Sequence, residues 1–162
     1  MRANYGMLLR PAGSAVTSVR ENSIGTSAPL AGVSMSANPA VPRRVLVVDD
    51  NEDSAESLTV LLRLKGHTVE SRHDGRGAVE TAELFRPEVI LLDLGMPGLS
   101  GYEVCREIRN QPWGSEMLLI AQTGWGQDQD RQRTKDAGFD GHLTKPIDLA
   151  RLEKILSDLS VA

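Results

Sequence analysis

Residues 87–101 read PEVILLDLGMPGLSG, and the fold follows from how they divide. Val89, Ile90, Leu91 and Leu92 form an apolar run with no polar alternation, so both faces of a strand built from them must be buried, as in the middle of a parallel sheet. Asp93 then stands at that strand's carboxyl end. In open α/β sheets ligands bind outside this edge, and Gly95, Met96, Pro97 and Gly98 cannot continue the strand. An ionisable group is thereby presented at a fixed point on a rigid support. An aspartate that merely opens a turn has the same local signature, and the remaining chain has to separate the two.

Toward the amino terminus, Val45, Leu46, Val47 and Val48 make a second fully apolar strand, which ends in Asp49, Asp50 and Asn51. It delivers a carboxylate pair to the same kind of sheet edge. Residues 51–54 can cap a helix, Leu58, Leu61, Leu62 and Lys65 mark an inward stripe at helical spacing, and Gly66 stops it. Residues 67–72 are polar apart from Val69 and suit a less covered edge strand. Asp74 and Gly75 start the next helix, in which Ala78, Ala82 and Phe85 share a face, and Pro87 ends it.

Toward the carboxyl terminus, residues 100–110 read as a helix with Val104 and Ile108 one turn apart, closed by Gln111 and Pro112. Residues 117–121 are a fourth apolar strand, ending in Gln122, Thr123 and Gly124. Residues 127–136 hold no apolar side chain, so a helix there has almost no face to bury and is expected to be loosely held. Residues 139–144 are a short fifth strand ending in Lys145 and Pro146, and a last helix carries Leu149, Leu152, Ile155, Leu156 and Leu159 on one side. Five strands alternating with five helices imply right-handed crossovers and an α/β fold, a doubly wound parallel sheet covered on both faces.

The 162 residues suffice for one domain with a full core and a tail. Residues 1–42, rich in Ala, Ser, Gly, Asn and Pro with apolar residues scattered singly, are expected to be disordered or weakly structured. Met35 is an alternative start. The domain is expected over residues 43–162. Net charge is −4, made of +2 on residues 1–42 and −6 on the rest. That sign argues against direct DNA binding, which needs clustered Lys and Arg. The single cysteine, Cys105, excludes an internal disulfide and reads as a small buried hydrophobe. No run of 18 apolar residues and no secretory signal are visible, so a soluble cytoplasmic protein without a membrane partner is expected.

Parallel strands bring Asp49 with Asp50, Asp93, Thr123 and Lys145 to one edge. Three carboxylates that close repel, which raises at least one pKa unless a cation compensates. Lys145 supplies one positive charge, and Mg²⁺ suits the rest, since it accepts one or two carboxylates, keeps waters and takes phosphoryl oxygens. A carboxylate nucleophile beside a metal, an ammonium and a hydroxyl is an arrangement for phosphoryl transfer.

The segments VLVVDDN, VILLDLGMPGLSG, LLIAQTG and HLTKP resemble those of the receiver domain of two-component response regulators, over residues 43–160. The resemblance implies a flavodoxin-like fold with strand order 2-1-3-4-5. It also implies that Asp93 is the phosphoacceptor, taking its phosphoryl group from a histidine kinase or histidine phosphotransfer protein. Asp49 and Asp50 would hold Mg²⁺ together with Asp93, Asp50 directly, and the backbone carbonyl of Gly95 would be a further ligand. Thr123, with Gly124 beside it, would bind the phosphoryl oxygens through its hydroxyl, and Lys145 through its ammonium. The Lys145 to Pro146 bond would be cis.

Two places depart from the commonest pattern of that family, His142 and the pair Gly95 and Trp125. His142, three residues before the lysine, stands where Tyr or Phe often acts as a rotameric switch, and it adds a pH sensitivity. Gly95 and Trp125 occupy positions that tune hydrolysis of the acyl phosphate. Phosphorylation adds about 1.5 to 2 negative charges, and Thr123 moving toward them would pull the loop leading into residues 127–136. Their surface, with the fifth strand and last helix, is where a downstream protein is expected to sense the change.

Four other readings compete. A haloacid-dehalogenase phosphatase needs Asp-x-Asp after its first strand, and a Rossmann-type nucleotide module needs a glycine-rich turn there; two adjacent carboxylates occupy that place. A pseudo-receiver, a binding module without phosphorylation, would not need the complete set. The remaining alternative is a receiver detached from a hybrid histidine kinase. With no output module after residue 162, output is expected to pass through another protein, and the chain is expected to act as a phosphoacceptor rather than as an enzyme on other substrates.

Overall fold

The computed structural model of the chain describes residues 41–124 and 128–159. Trp125 and residues 1–40 of the expected tail lie outside them. The elements run β1 (Arg44–Val48), α1 (Glu52–Leu64), β2 (Thr68–Arg72), α2 (Gly75–Phe85), β3 (Val89–Asp93), α3 (Gly101–Arg109), a 3-10 turn (Gly114–Glu116), β4 (Leu118–Thr123), α4 (Asp128–Ala137), β5 (Gly141–Thr144) and α5 (Leu149–Asp158). All strand pairs are parallel, in the order β2-β1-β3-β4-β5. The doubly wound, flavodoxin-like order expected from the sequence is therefore the observed one.

Because side chains alternate across a strand, the apolar runs supply two separate cores. Leu46, Val48, Ile90, Leu92, Leu119 and Ala121 face α2, α3 and α4, where Ala78, Ala82, Val104, Cys105, Ile108 and Ala137 meet them. Val45, Val47, Val89, Leu91, Ile120 and Leu143 face α1 and α5, against Ala55, Leu58, Leu62, Leu152 and Leu156. Each large aliphatic side chain buried this way contributes about 1.5–3 kcal/mol. Burial pushes the Cys105 thiol up to about 11, and its Sγ donates to the Ala137 carbonyl at 3.3 Å. It is the small buried hydrophobe that the sequence suggested.

Helix α1 is turned relative to the expected stripe. Ala55, Leu58, Thr59 and Leu62 are buried, whereas Leu61 is 40% exposed and Lys65 lies at the carboxyl cap, paired with Glu153. At about 100° per residue, Leu61 falls roughly a third of a turn away from the buried face. Strand β4 runs through Gln122 and Thr123. Strand β5 begins only at Gly141, because Phe139 is buried below the sheet, its N–H donating to the Thr134 carbonyl. In α5, Leu152 and Leu156 are buried and Leu149 is 36% exposed. Among the described side chains of α4, only Thr134 and Ala137 are buried, as its composition requires. No helix among the described residues is long and apolar enough to cross a membrane.

Both ends of the sheet are tied down. At the amino edge, Glu88 accepts from Arg43 Nη1 at 2.7 Å and from the Arg44 N–H at 3.0 Å, while the Arg43 N–H donates to His67 Nδ1 at 3.1 Å. Arg109 of α3 donates to the carbonyls of Gly114, Met117 and Gly138 and pairs with Asp140, which fixes the turn from α4 into β5. At the carboxyl edge, Gly98 turns the loop after β3 with φ +77°, and a Cβ on Gly101 would collide with the Asp93 carbonyl. The start of α3 can approach the end of β3 only through a glycine at that position.

Candidate functional site

Sheet register levels the functional residues before any side chain is considered. Val48 pairs with Leu92, Asp93 with Gln122, Gln122 with Leu143, and Thr123 with Thr144. Asp49 therefore stands level with Asp93, Thr123 lies one residue beyond, and Lys145 follows the end of β5. Asp49 is 1% exposed and Asp93 9%, while Asp50 is exposed. One carboxylate oxygen from each of the three lies within 4.8 Å of the others.

Lys145 joins the cluster. Its Nζ is 2.7 Å from Asp49 Oδ2 and 3.5 Å from Asp93 Oδ2. Its own N–H donates to the Thr123 carbonyl at 2.7 Å, and the Lys145–Pro146 peptide bond is cis. Asp49 Oδ1 accepts from the Asn51 N–H at 3.0 Å, and Asp93 Oδ1 from the Gly95 N–H at 3.1 Å. One ammonium thus faces three carboxyl groups. Charge this uneven in a half-buried site fits a divalent, oxygen-preferring cation.

The carboxyl of Asp93 is pushed above its usual range, first by burial and further by the Asp49 charge and the Asp50 side chain, against the pull of the Gly95 N–H and Lys145. The expected upward shift is present, but burial rather than repulsion leads it, because β3 is covered on both faces. His142 on β5 is half-buried and pushed below its usual value by burial and by the charges of Arg131 and Arg151. It pairs in register with Ala121. Thr123 and Gly124 sit at the mouth of the site, at and just beyond the end of β4.

Two residues next to the site were missed by the sequence reading. Gln122, 1% exposed, lies level with Asp93, and its Nε2 has no hydrogen-bond partner. His73, just after β2, places Nδ1 3.0 Å from the Asp49 carbonyl. Gln122 could have been flagged as a polar residue ending an apolar run, whereas His73 sits among polar neighbours and carries no signal.

Residues 45–157 match the family model described as the response regulator receiver domain. Response regulator MprA of Mycobacterium ulcerans is 40% identical over 109 residues, which make up 67% of this chain and 46% of that protein. The chain thus spans about half the length of this relative. Among solved structures, the receiver domain of sensor histidine kinase PA1611 from Pseudomonas aeruginosa, with a magnesium ion coordinated in its active-site cleft, superposes with TM-score 0.67 and 36% identity, over 73% of this chain and 97% of that one. The Saccharomyces cerevisiae complex of the histidine phosphotransfer protein Ypd1 with the receiver domain of Ssk1 gives TM-score 0.66 and 25% identity, over 72% of this chain and 88% of that one. A match that runs from β1 into α5, on a sheet of the same strand order, makes the chain a member of the response regulator receiver domain family of two-component signalling.

Proposed function

We propose that Asp93 accepts a phosphoryl group from the phosphohistidine of a histidine kinase or a histidine phosphotransfer protein, and that the resulting acyl phosphate switches a protein-binding face. The observation that carries this reading is the bridge made by Lys145, which reaches both Asp49 and Asp93. A carboxylate oxygen of Asp93 bonds to phosphorus as the phosphorus–nitrogen bond to the donor imidazole breaks, and the imidazole keeps the electron pair and then takes a proton. Asp93 must be ionised to attack, and the Gly95 N–H and Lys145 oppose the effect of burial on it. The Lys145 ammonium, already at the cluster, would pair with the transferred oxygens, and the Thr123 hydroxyl at the end of β4 would donate to them.

Asp49, Asp50 and Asp93 would hold Mg²⁺, with the Gly95 carbonyl as a further ligand. Bound there, the ion would neutralise charge on the transferred oxygens. Gly95 and Trp125 would set how fast water hydrolyses the acyl phosphate. The chain acts as phosphoacceptor for its own modification, in the cytoplasm, and hands the signal on by protein contact. The likeness to a receiver from a sensor histidine kinase supports a second reading, a receiver that belongs to a hybrid kinase; phosphoryl flow back to a phosphotransfer protein would favour it. Borohydride reduction of the phosphorylated protein should convert Asp93, and no other carboxyl, to homoserine. Homoserine at a different position would refute the assignment.

A further inference from the structure

Strands β1 and β2 pair in register as far as Val48 with Arg72, and one further bond runs from the Asp49 N–H to the Arg72 carbonyl at 3.1 Å. In a parallel ladder the returning bond would come from the N–H of Asp74 to the Asp49 carbonyl. Among the described residues that bond is not formed. Asp74 leaves the strand to cap α2, its side chain accepting from the Gly77 N–H at 2.8 Å. The Asp49 carbonyl is met instead by His73 Nδ1 at 3.0 Å. A carbonyl oxygen only accepts, so Nδ1 carries the proton, and in the neutral ring Nε2 carries the lone pair.

We infer that His73 is a positioning residue for the acidic site, its imidazole replacing the last rung of the β1–β2 ladder and fixing the main chain from which Asp49 and Asp50 project. The inference rests on the proposed function and deepens it. With this bond every polar group of Asp49 is held: N–H by Arg72, carbonyl by His73, Oδ1 by Asn51 and Oδ2 by Lys145. Without it, the Asp49 carbonyl loses its partner at the place where strand pairing ends and a chain direction is easily lost. Groups that orient metal ligands from behind act on affinity in this way.

The test uses the full chain. Long-range proton–nitrogen NMR of the wild type should show His73 protonated on Nδ1. Mg²⁺ titration by calorimetry should show His73→Phe, which keeps a ring but has no donor, binding about tenfold more weakly. His73→Asn, whose side-chain amide can donate from nearly the same position, should bind within about twofold of wild type. A proton on Nε2, undiminished affinity in His73→Phe, or His73→Asn no better than His73→Phe would overturn the inference. No Mg²⁺ uptake by the wild type would overturn the metal reading itself and the inference with it. The tautomer separately reports whether the bond exists.

Discussion

Thr59 faces the sheet from α1 with no exposure, and its Oγ1 has no hydrogen-bond partner. A buried hydroxyl without a partner keeps its desolvation cost and gains nothing for it. Thr59→Val is therefore expected to raise stability by about 1 kcal/mol in urea denaturation; a loss would show that the hydroxyl is bonded. His67 shows the opposite economy, since it is 6% exposed and its Nδ1 accepts the Arg43 N–H. Burial leads in pushing its pKa below 6.5, with Arg43 acting the same way against Glu153 and Glu88. A depressed folded-state value means that the unfolded chain takes up the proton first. The stability that His67 contributes is thus present above about pH 6.5 and is lost as pH falls through the lower folded value. His67→Asn should flatten the decline that sets in as pH falls below about 7, removing a slope of at most about 1.4 kcal/mol per pH unit. Asp93, shifted upward, contributes with the opposite sign in both proteins and cancels in the comparison. Equal slopes would contradict the assignment.

At the scale of elements, α4 is the helix whose sequence and structure agree on weakness: no apolar residue precedes Ala137, and only Thr134 and Ala137 of its described side chains are buried. Thr123 leads toward it from the site, and β5 joins it through the turn that Arg109 holds. Hydrogen exchange with beryllofluoride as phosphoryl mimic is expected to change across α4 and β5 and to leave α2 as it was. Unchanged protection over α4 would remove this face as the sensor. Strands β1, β3 and β4 were legible because short unbroken apolar runs bounded by turn residues fit strands buried in a parallel sheet, and this placed Asp49, Asp93 and Thr123 at the edge. The rotation of α1 was not legible. Leu58 and Leu62 on one stripe and Leu61 with Leu64 on the next offer two apolar faces, and only packing against Val45 and Val47 chooses between them. The start of β5 failed for a related reason, since Phe139 is apolar for the sake of the core below the sheet.

Across the described domain, cores on both faces and hydrogen-bonded ends of the sheet hold four strand ends level, so the acidic site is a consequence of topology rather than of any local motif. What the sequence concealed is what a parallel ladder leaves open at its last rung: His73 and Gln122 matter only because neighbouring strands end where they do. The central claim is that these strand ends form a phosphoryl-accepting site at Asp93. Intact mass after incubation with acetyl phosphate, with and without Mg²⁺, for the wild type and Asp93→Asn tests it most directly. The expected result is a single Mg²⁺-dependent phosphoryl adduct, labile to base and absent from Asp93→Asn. A folded wild type that gains no adduct, or an adduct that persists in Asp93→Asn, would contradict it.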